Sequence, residues 1–195
     1  MSETIDYYDK NANNFIESTQ NVDMHLTQDR FLTLLPSDSC ILDFGCGSGR
    51  DTKYFLGKGC AVDATDGSAE ICKLASEFTG IRVKHMLFQE LSAEDKYDGI
   101  WACSSILHLP KSELLYVFQR MIRALTGHGV IYTSFKYGTF EGERGGRYFT
   151  DFTEDAFQEF LQLFPGLSIE DDWITADVRP DRSDEKWLNL LLRKR

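Results

Sequence analysis

The sequence predicts an α/β protein: a parallel sheet with helices on both faces. Three observations carry this. Short apolar runs, "CILDF" (40–44), "CAVDATD" (60–66), "YDGIWACS" (97–104) and "GVIYTSFK" (129–136), read as strands. Helical stretches alternate with them through short connections, the pattern of right-handed crossovers between parallel strands. Finally, Gly45, Gly47 and Gly49 follow the first run at alternate positions in "ILDFGCGSGRD". Glycine costs backbone entropy in an ordered element, so the cluster implies a sharp strand-to-helix turn or a ligand pressed against the backbone.

The elements follow in order. Residues 4–34 read as helical, with Ile5, Tyr8, Ala12, Phe15 and Ile16 spaced by three or four, and a second piece from Met24 that ends at Pro36. After the glycines, "RDTKYFLGKG" reads as a helix stopped by Gly57 and Gly59. "GSAEICKLASEF" is a helix with Ser68 as N-cap and Ile71, Leu74, Ala75 and Phe78 on one face. "IRVKHML" (81–87) alternates like a strand, and "HLPKSELLYVFQRMIRAL" is a long amphipathic helix. "YGTFEGERGGRYFTDF" reads as loop before a helix over 153–164. Strands at 167–178 and 185–195, joined by the polar "RPDRSD", form an antiparallel hairpin at the sheet edge.

The 195 residues fit one domain. It divides into an N-terminal helical cover (1–36), a core (38–136) and a segment of loop, helix and hairpin (137–195). With 31 acids against 21 bases the net charge is −10, which argues against gripping long nucleic acid through its phosphates. A small anion in a local basic pocket is compatible with it. No apolar run of about 18 residues predicts a membrane span. The N-terminus lacks the basic start and apolar run of a secretory leader, so the expected location is cytoplasmic. The five cysteines form no CxxC pair and are expected as reduced thiols; the four histidines are scattered, so no metal site is expected. Nothing in the sequence demands an oligomer; a monomer or weak homodimer is expected.

The glycine loop departs from a dinucleotide fingerprint. The third small residue of that motif would fall at Arg50, and the acid Asp43 stands two residues before Gly45. A carboxylate at the strand end suits a ligand with an amino group and a sulfonium better than a pyrophosphate. Arg50 would then hold a ligand carboxylate by a two-pronged bond, although a surface salt bridge explains it equally well. Together these groups describe the methionine part of S-adenosylmethionine. Asp66, at the end of "ATD" and about 20 residues after the first glycine, is placed to receive ribose hydroxyls, in preference to Asp63. In "FQELSAED", Gln89 or Glu90 would accept from the adenine amino group.

With these motifs the chain resembles the class I S-adenosylmethionine-dependent methyltransferases, over residues 38–136, through "ILDFGCGSG", "ATDGS", "YDGIWACSSILHLP" and "RALTGHGVIYTSF". Among them it looks most similar to small bacterial tellurite-resistance-like members. The resemblance implies a Rossmann-like, three-layer fold with seven strands, the last antiparallel. It implies S-adenosylmethionine as donor and S-adenosylhomocysteine as product. It also implies that Asp43, Gly45 and Gly47, with Cys46 between them, meet the methionine part, and that Cys103 meets the donor through its backbone. Many members have Asp where this chain has Gln89.

His108, after "SSIL", is the candidate general base; a hydrogen-bonded histidine at a helix start is the plain alternative. Tyr7 and Tyr8 are placed to cover a sulfonium, or to fill a core helix face. Cys46 reads as packing rather than as a nucleophile. Arg144, Arg147 and Arg179 are the candidate anchors for a small anionic or polar acceptor, against the common outcome of solvated loop arginines; Arg182 lies beside them. The expected activity is methyl transfer to a small molecule. The alternatives are a non-catalytic S-adenosylmethionine-binding regulator and, disfavoured by Arg50 and Asp43, a nicotinamide-dependent oxidoreductase.

Overall fold

The computed structural model describes residues 2–178, Arg182 and residues 184–195. In chain order the elements are α1 (Ser2–Thr19), α2 (His25–Leu32), β1 (Cys40–Phe44), α3 (Arg50–Gly57), β2 (Ala61–Asp66), α4 (Ala69–Thr79), β3 (Lys84–His85), β4 (Tyr97–Ala102), α5 (Lys111–Ala124), β5 (Leu125–Lys136), β6 (Glu141–Arg144), β7 (Arg147–Thr150), α6 (Glu154–Leu161), β8 (Leu167–Ala176) and β9 (Lys186–Lys194). Seven strands form one sheet in the order β3-β2-β1-β4-β5-β9-β8. β1 to β5 pair in parallel, and β9 runs antiparallel to both β5 and β8.

Side-chain alternation explains the layers, because successive strand residues face opposite sides. Leu42, Phe44, Ile100 and Ala102 pack with Leu114, Phe118 and Met121 of α5 and with Phe157 and Phe160 of α6. Ile41, Trp101 and Tyr132 pack on the other face with Phe31 of α2 and Phe55 of α3. Trp101 and Tyr132 stack with ring centroids 4.0 Å apart. Each fully buried large apolar side chain contributes roughly 1.5–3 kcal/mol. No helix among the described residues is long and apolar enough to cross a membrane.

Three features differ from the sequence reading. The strand expected over 81–87 shrinks to Lys84–His85. The Val83 N–H is taken by Ser76 Oγ of α4 at 2.9 Å, so it does not pair with a neighbouring strand. On α4 the buried residues are Ile71, Cys72 and Ala75, while Leu74 and Phe78 are only partly covered. The terminal hairpin does form at the sheet edge as read, with β9 beside β5 and β8 outermost. Finally, the stretch read as loop is a second hairpin, β6–β7, with Arg144 paired to Arg147 across Gly145 and Gly146. Both glycines have left-handed backbone, φ 59° and 75°. Two such residues make the tight turn whose twist matches paired strands.

The glycine loop closes the β1–α3 connection. Gly45, Gly47 and Gly49 all have positive φ, at 84°, 54° and 76°. A Cβ on Gly49 would lie 2.6 Å from Thr79 Cγ2 of α4. We therefore expect Gly49→Ala to destabilise the fold by about 1–3 kcal/mol, since backbone strain and overpacking act together. Urea unfolding of the variant beside the parent measures this; an equal or raised midpoint would contradict it.

Candidate active site

The carboxyl ends of β1, β2, β4 and β5 open into a cavity of about 680 Å³, the position that open α/β sheets use for ligands. The glycine loop forms one wall. The Gly45 and Cys46 N–H groups both donate to Thr65 O at 2.9 Å. Gly47 N–H donates to Asp66 Oδ2 at 3.0 Å, and Ser68 N–H to Asp66 Oδ1 at 2.9 Å. One carboxylate thus ties the loop to the start of α4, while also lining the cavity. Burial pushes its pKa up, against the N–H donors that pull it down. Ser68 caps α4 as its sequence implies, its Oγ accepting from Ile71 N–H.

Asp43 is placed differently from expectation. It is buried beneath the wall, where Thr52 Oγ1 donates to it at 2.6 Å. Burial, then the nearby Asp51, raise its pKa. The carboxylate that does line the cavity here is Asp51, which the sequence reading missed. It receives Arg50 Nε and Nη2, both at 2.8 Å, Gln28 Nε2 at 2.6 Å and Trp101 Nε1 at 2.9 Å. Burial opposes its ionisation, but the guanidinium and these donors prevail and hold its carboxyl below the usual range. Arg50 also lines the cavity, with its fork already engaged by its neighbour in sequence. Only the "RD" dipeptide hinted at this pair; Gln28 and Trp101 reach it through tertiary packing.

Cys46 and Cys103 lie on the wall. Burial raises both thiols, Cys103 to about 11, so neither is a thiolate at neutral pH. Gln89 and Glu90 are not among the described residues of the wall, which has Leu87 and Phe88 instead. A 3-10 turn at Phe88–Glu90 redirects the side chains: Gln89 Nε2 donates to Glu113, and Glu90 accepts from Leu87 N–H at 2.7 Å. Likewise Tyr8 lines the cavity and Tyr7 does not.

The cavity mouth joins chain segments far apart in sequence. His108 is buried and both of its ring nitrogens are engaged. Nδ1 lies 2.7 Å from Tyr148 O, which can only accept, so Nδ1 carries the proton. Nε2 then accepts from the Tyr8 hydroxyl at 2.9 Å. Arg147 Nη1 donates to the same hydroxyl at 3.3 Å. Arg144 also lines the cavity and pairs with Asp151 at 3.1 Å. Arg182 lines it too, 3.7 Å from Glu185. Arg179 lies outside the described residues. Lys136, Asp151 and Asp177 join the wall without a local sequence signal. Among the described residues no group of three potential metal ligands comes together.

Residues 41–129 match the model of a methyltransferase domain. The fold of the chain is shared by solved methyltransferases. The Burkholderia thailandensis 1,6-didemethyltoxoflavin-N1-methyltransferase, solved with 1,6-didemethyltoxoflavin and S-adenosylhomocysteine, is 21% identical with a TM-score of 0.80, covering 99% of this chain and 88% of its own. Magnesium protoporphyrin IX methyltransferase from Synechocystis PCC 6803, solved with S-adenosylhomocysteine, is 17% identical with a TM-score of 0.73, covering 100% and 99%. The [4+2]-cyclase SpnF is 17% identical with a TM-score of 0.66, covering 87% and 80%. No curated protein matches the sequence. The matched domain does not single out the tellurite-resistance-like subgroup.

In this fold His108 is not a base poised near neutrality. Burial, with Arg147 adding to it, lowers its pKa to about 4, despite the bond to Tyr148 O. The unfolded histidine titrates near about 6.5, so the unfolded state binds more protons between these values. The stability that neutral His108 confers is therefore complete above the unfolded pKa and falls as pH drops toward 4. We expect the unfolding free energy of the parent, relative to His108→Gln, to decrease by about 2 kcal/mol between pH 7 and 4.5. Urea titrations of both proteins at each pH measure this, and a pH-independent difference would contradict it.

Proposed function

We propose that the protein transfers a methyl group from S-adenosylmethionine to a small anionic acceptor. The observation that carries this reading is a single cavity with the glycine loop and Asp66 at one end and arginines at the other. The donor set fits the proposed ligand. Asp66 offers carboxylate oxygens to ribose hydroxyls, and the Arg50–Asp51 pair offers both charges required by a zwitterionic amino-acid end. In this reading Asp51 takes the ammonium role first given to Asp43. Gly45, Cys46, Gly47 and Cys103 line the same cavity, and in this reading Cys103 meets the donor through its backbone. Tyr8 covers the sulfonium side. When bound, S-adenosylmethionine supplies a methyl carbon on a good leaving group, so the protein's work is alignment and exclusion of water. Arg147 anchors the acceptor side, which Arg144, already paired with Asp151, also lines. His108 positions Tyr8 and takes no proton from the acceptor.

Calorimetric titration tests the donor. S-Adenosylmethionine and S-adenosylhomocysteine are expected to bind one-to-one and NAD not to bind. Asp66→Ala should weaken both sulfur ligands at least tenfold, in line with the roughly 1.5–3 kcal/mol of a hydrogen bond to a charged group. Urea unfolding of Asp66→Ala beside the parent separates this loss from collapse of the loop. Preference for NAD, or no binding of either sulfur ligand, would overturn the donor assignment.

One observation favours a second reading, a non-catalytic binder: neither nitrogen of His108 is free and neither wall thiol ionises near neutrality. Formation of S-adenosylhomocysteine with any acceptor excludes it.

A further inference from the structure

Arg147 differs from the other cations of the cavity. Arg50 is paired with Asp51, Lys136 with Glu185 and Asp177, Arg144 with Asp151 and Arg182 with Glu185. Lys186 is exposed. Arg147 is partly buried, lines the cavity and has no carboxylate partner among the described residues. Its Nε is buried without a hydrogen-bond partner. An unpaired, partly desolvated cation is costly, and an unmade buried hydrogen bond adds to the cost. The charge deficit is met when an anion accepts from the guanidinium.

The guanidinium is also held in place. Its carbon sits 4.6 Å from the Tyr7 ring centroid and 5.1 Å from that of Phe149. Nη1 donates to the Tyr8 hydroxyl, which is fixed by His108. His108 meets Phe149 edge to face at 4.8 Å. The rings of Tyr8 and Phe149 thus flank the guanidinium that, among the described arginines of the cavity, has no carboxylate partner, and they line the same cavity as His108. Flat apolar faces around a fork-shaped cation suit a planar ring bearing a carboxylate, which takes two parallel N–H bonds while its ring packs on the aromatic side chains.

Charge sets the ligand's valence. Six carboxylates and six cationic side chains line the cavity among the described residues. S-Adenosylmethionine carries a net single positive charge, from sulfonium, ammonium and carboxylate. A monoanion completes neutrality, whereas a polyanion would leave negative charge beside Asp66 and Asp151.

Resting on the donor reading above, we infer that Arg147 is the anion anchor of the acceptor compartment and that this compartment takes a planar aromatic monocarboxylate. The test uses benzoate, with benzamide as its neutral counterpart and acetate as its ringless one, titrated by calorimetry into the protein with and without S-adenosylhomocysteine. Benzoate is expected to bind at least tenfold more tightly than either control. Arg147→Gln should weaken benzoate at least tenfold while leaving the S-adenosylhomocysteine Kd within twofold. Arg144→Gln, whose cation is already neutralised by Asp151, should cost less than threefold. Arg147→Lys keeps the charge without the fork and should fall between parent and Gln, which keeps the test decisive if the Gln variant does not fold. Failure of benzoate to bind, equal binding of benzamide or acetate, or indifference to Arg147 would overturn the inference. Arg147-dependent benzoate binding without any S-adenosylhomocysteine binding would instead overturn the donor reading and leave the anion site standing.

Discussion

The Asp66 carboxylate joins three parts of the molecule that would otherwise be independent. One oxygen accepts from Gly47 in the loop after β1 and the other from Ser68 at the start of α4. It stands at the end of β2, whose register beside β1 is continuous from Cys40–Ala61 to Phe44–Thr65. The loop cannot reach this anchor in ordinary backbone conformations, which is why glycines with positive φ stand there. The same loop admits neighbours closely: a Cβ on Gly45 would lie 2.5 Å from Ser105 Cβ, and one on Gly47 would lie 3.1 Å from Phe15 of α1. The glycines thus serve the protein's own packing as well as the cavity behind it.

Around this fixed end, the other side of the cavity is assembled from α1 and the β6–β7 hairpin, segments far apart in the chain. α1 supplies Tyr8, and Thr4 Oγ1 accepts from the Tyr148 N–H of β7. Asp9 of the same helix accepts from Ser68 Oγ and Glu70 N–H at the start of α4. α1 therefore spans from the donor-side helix to the β6–β7 hairpin. In turn the hairpin presents Arg147 to Tyr8 and the Tyr148 carbonyl to His108. Few groups in this network are left without a partner, and that makes the unpaired Arg147 informative.

The core and its charges follow different rules. Apolar residues alternate along each strand, so β1 and β4 divide their side chains between two packed layers without further instruction. Buried charges have to find partners one by one. Asp51 does so through residues from α2, α3 and β4, a set with no common spacing in sequence. Its neighbour Asp43 has Thr52 as its hydrogen-bond donor and sits deeper, so the two carboxyls respond in opposite directions to their surroundings.

The alternation of strands and helices, the Ser68 cap, the glycine turn and the position of Asp66 were all legible in the sequence, because each rests on local periodicity or on a backbone conformation only certain residues allow. The β6–β7 hairpin had a local signal too, in Gly145–Gly146, but its strands lack an apolar face that alternates strongly enough to be read. Which side chain lines the cavity was decided only by the tertiary structure. One residue of shift in a turn exchanges Gln89 for Phe88, and the rotation of α1 chooses Tyr8 over Tyr7. The basicity of His108 belongs to the same class. It depends on burial and on a partner 100 residues away, which no spacing along the chain encodes.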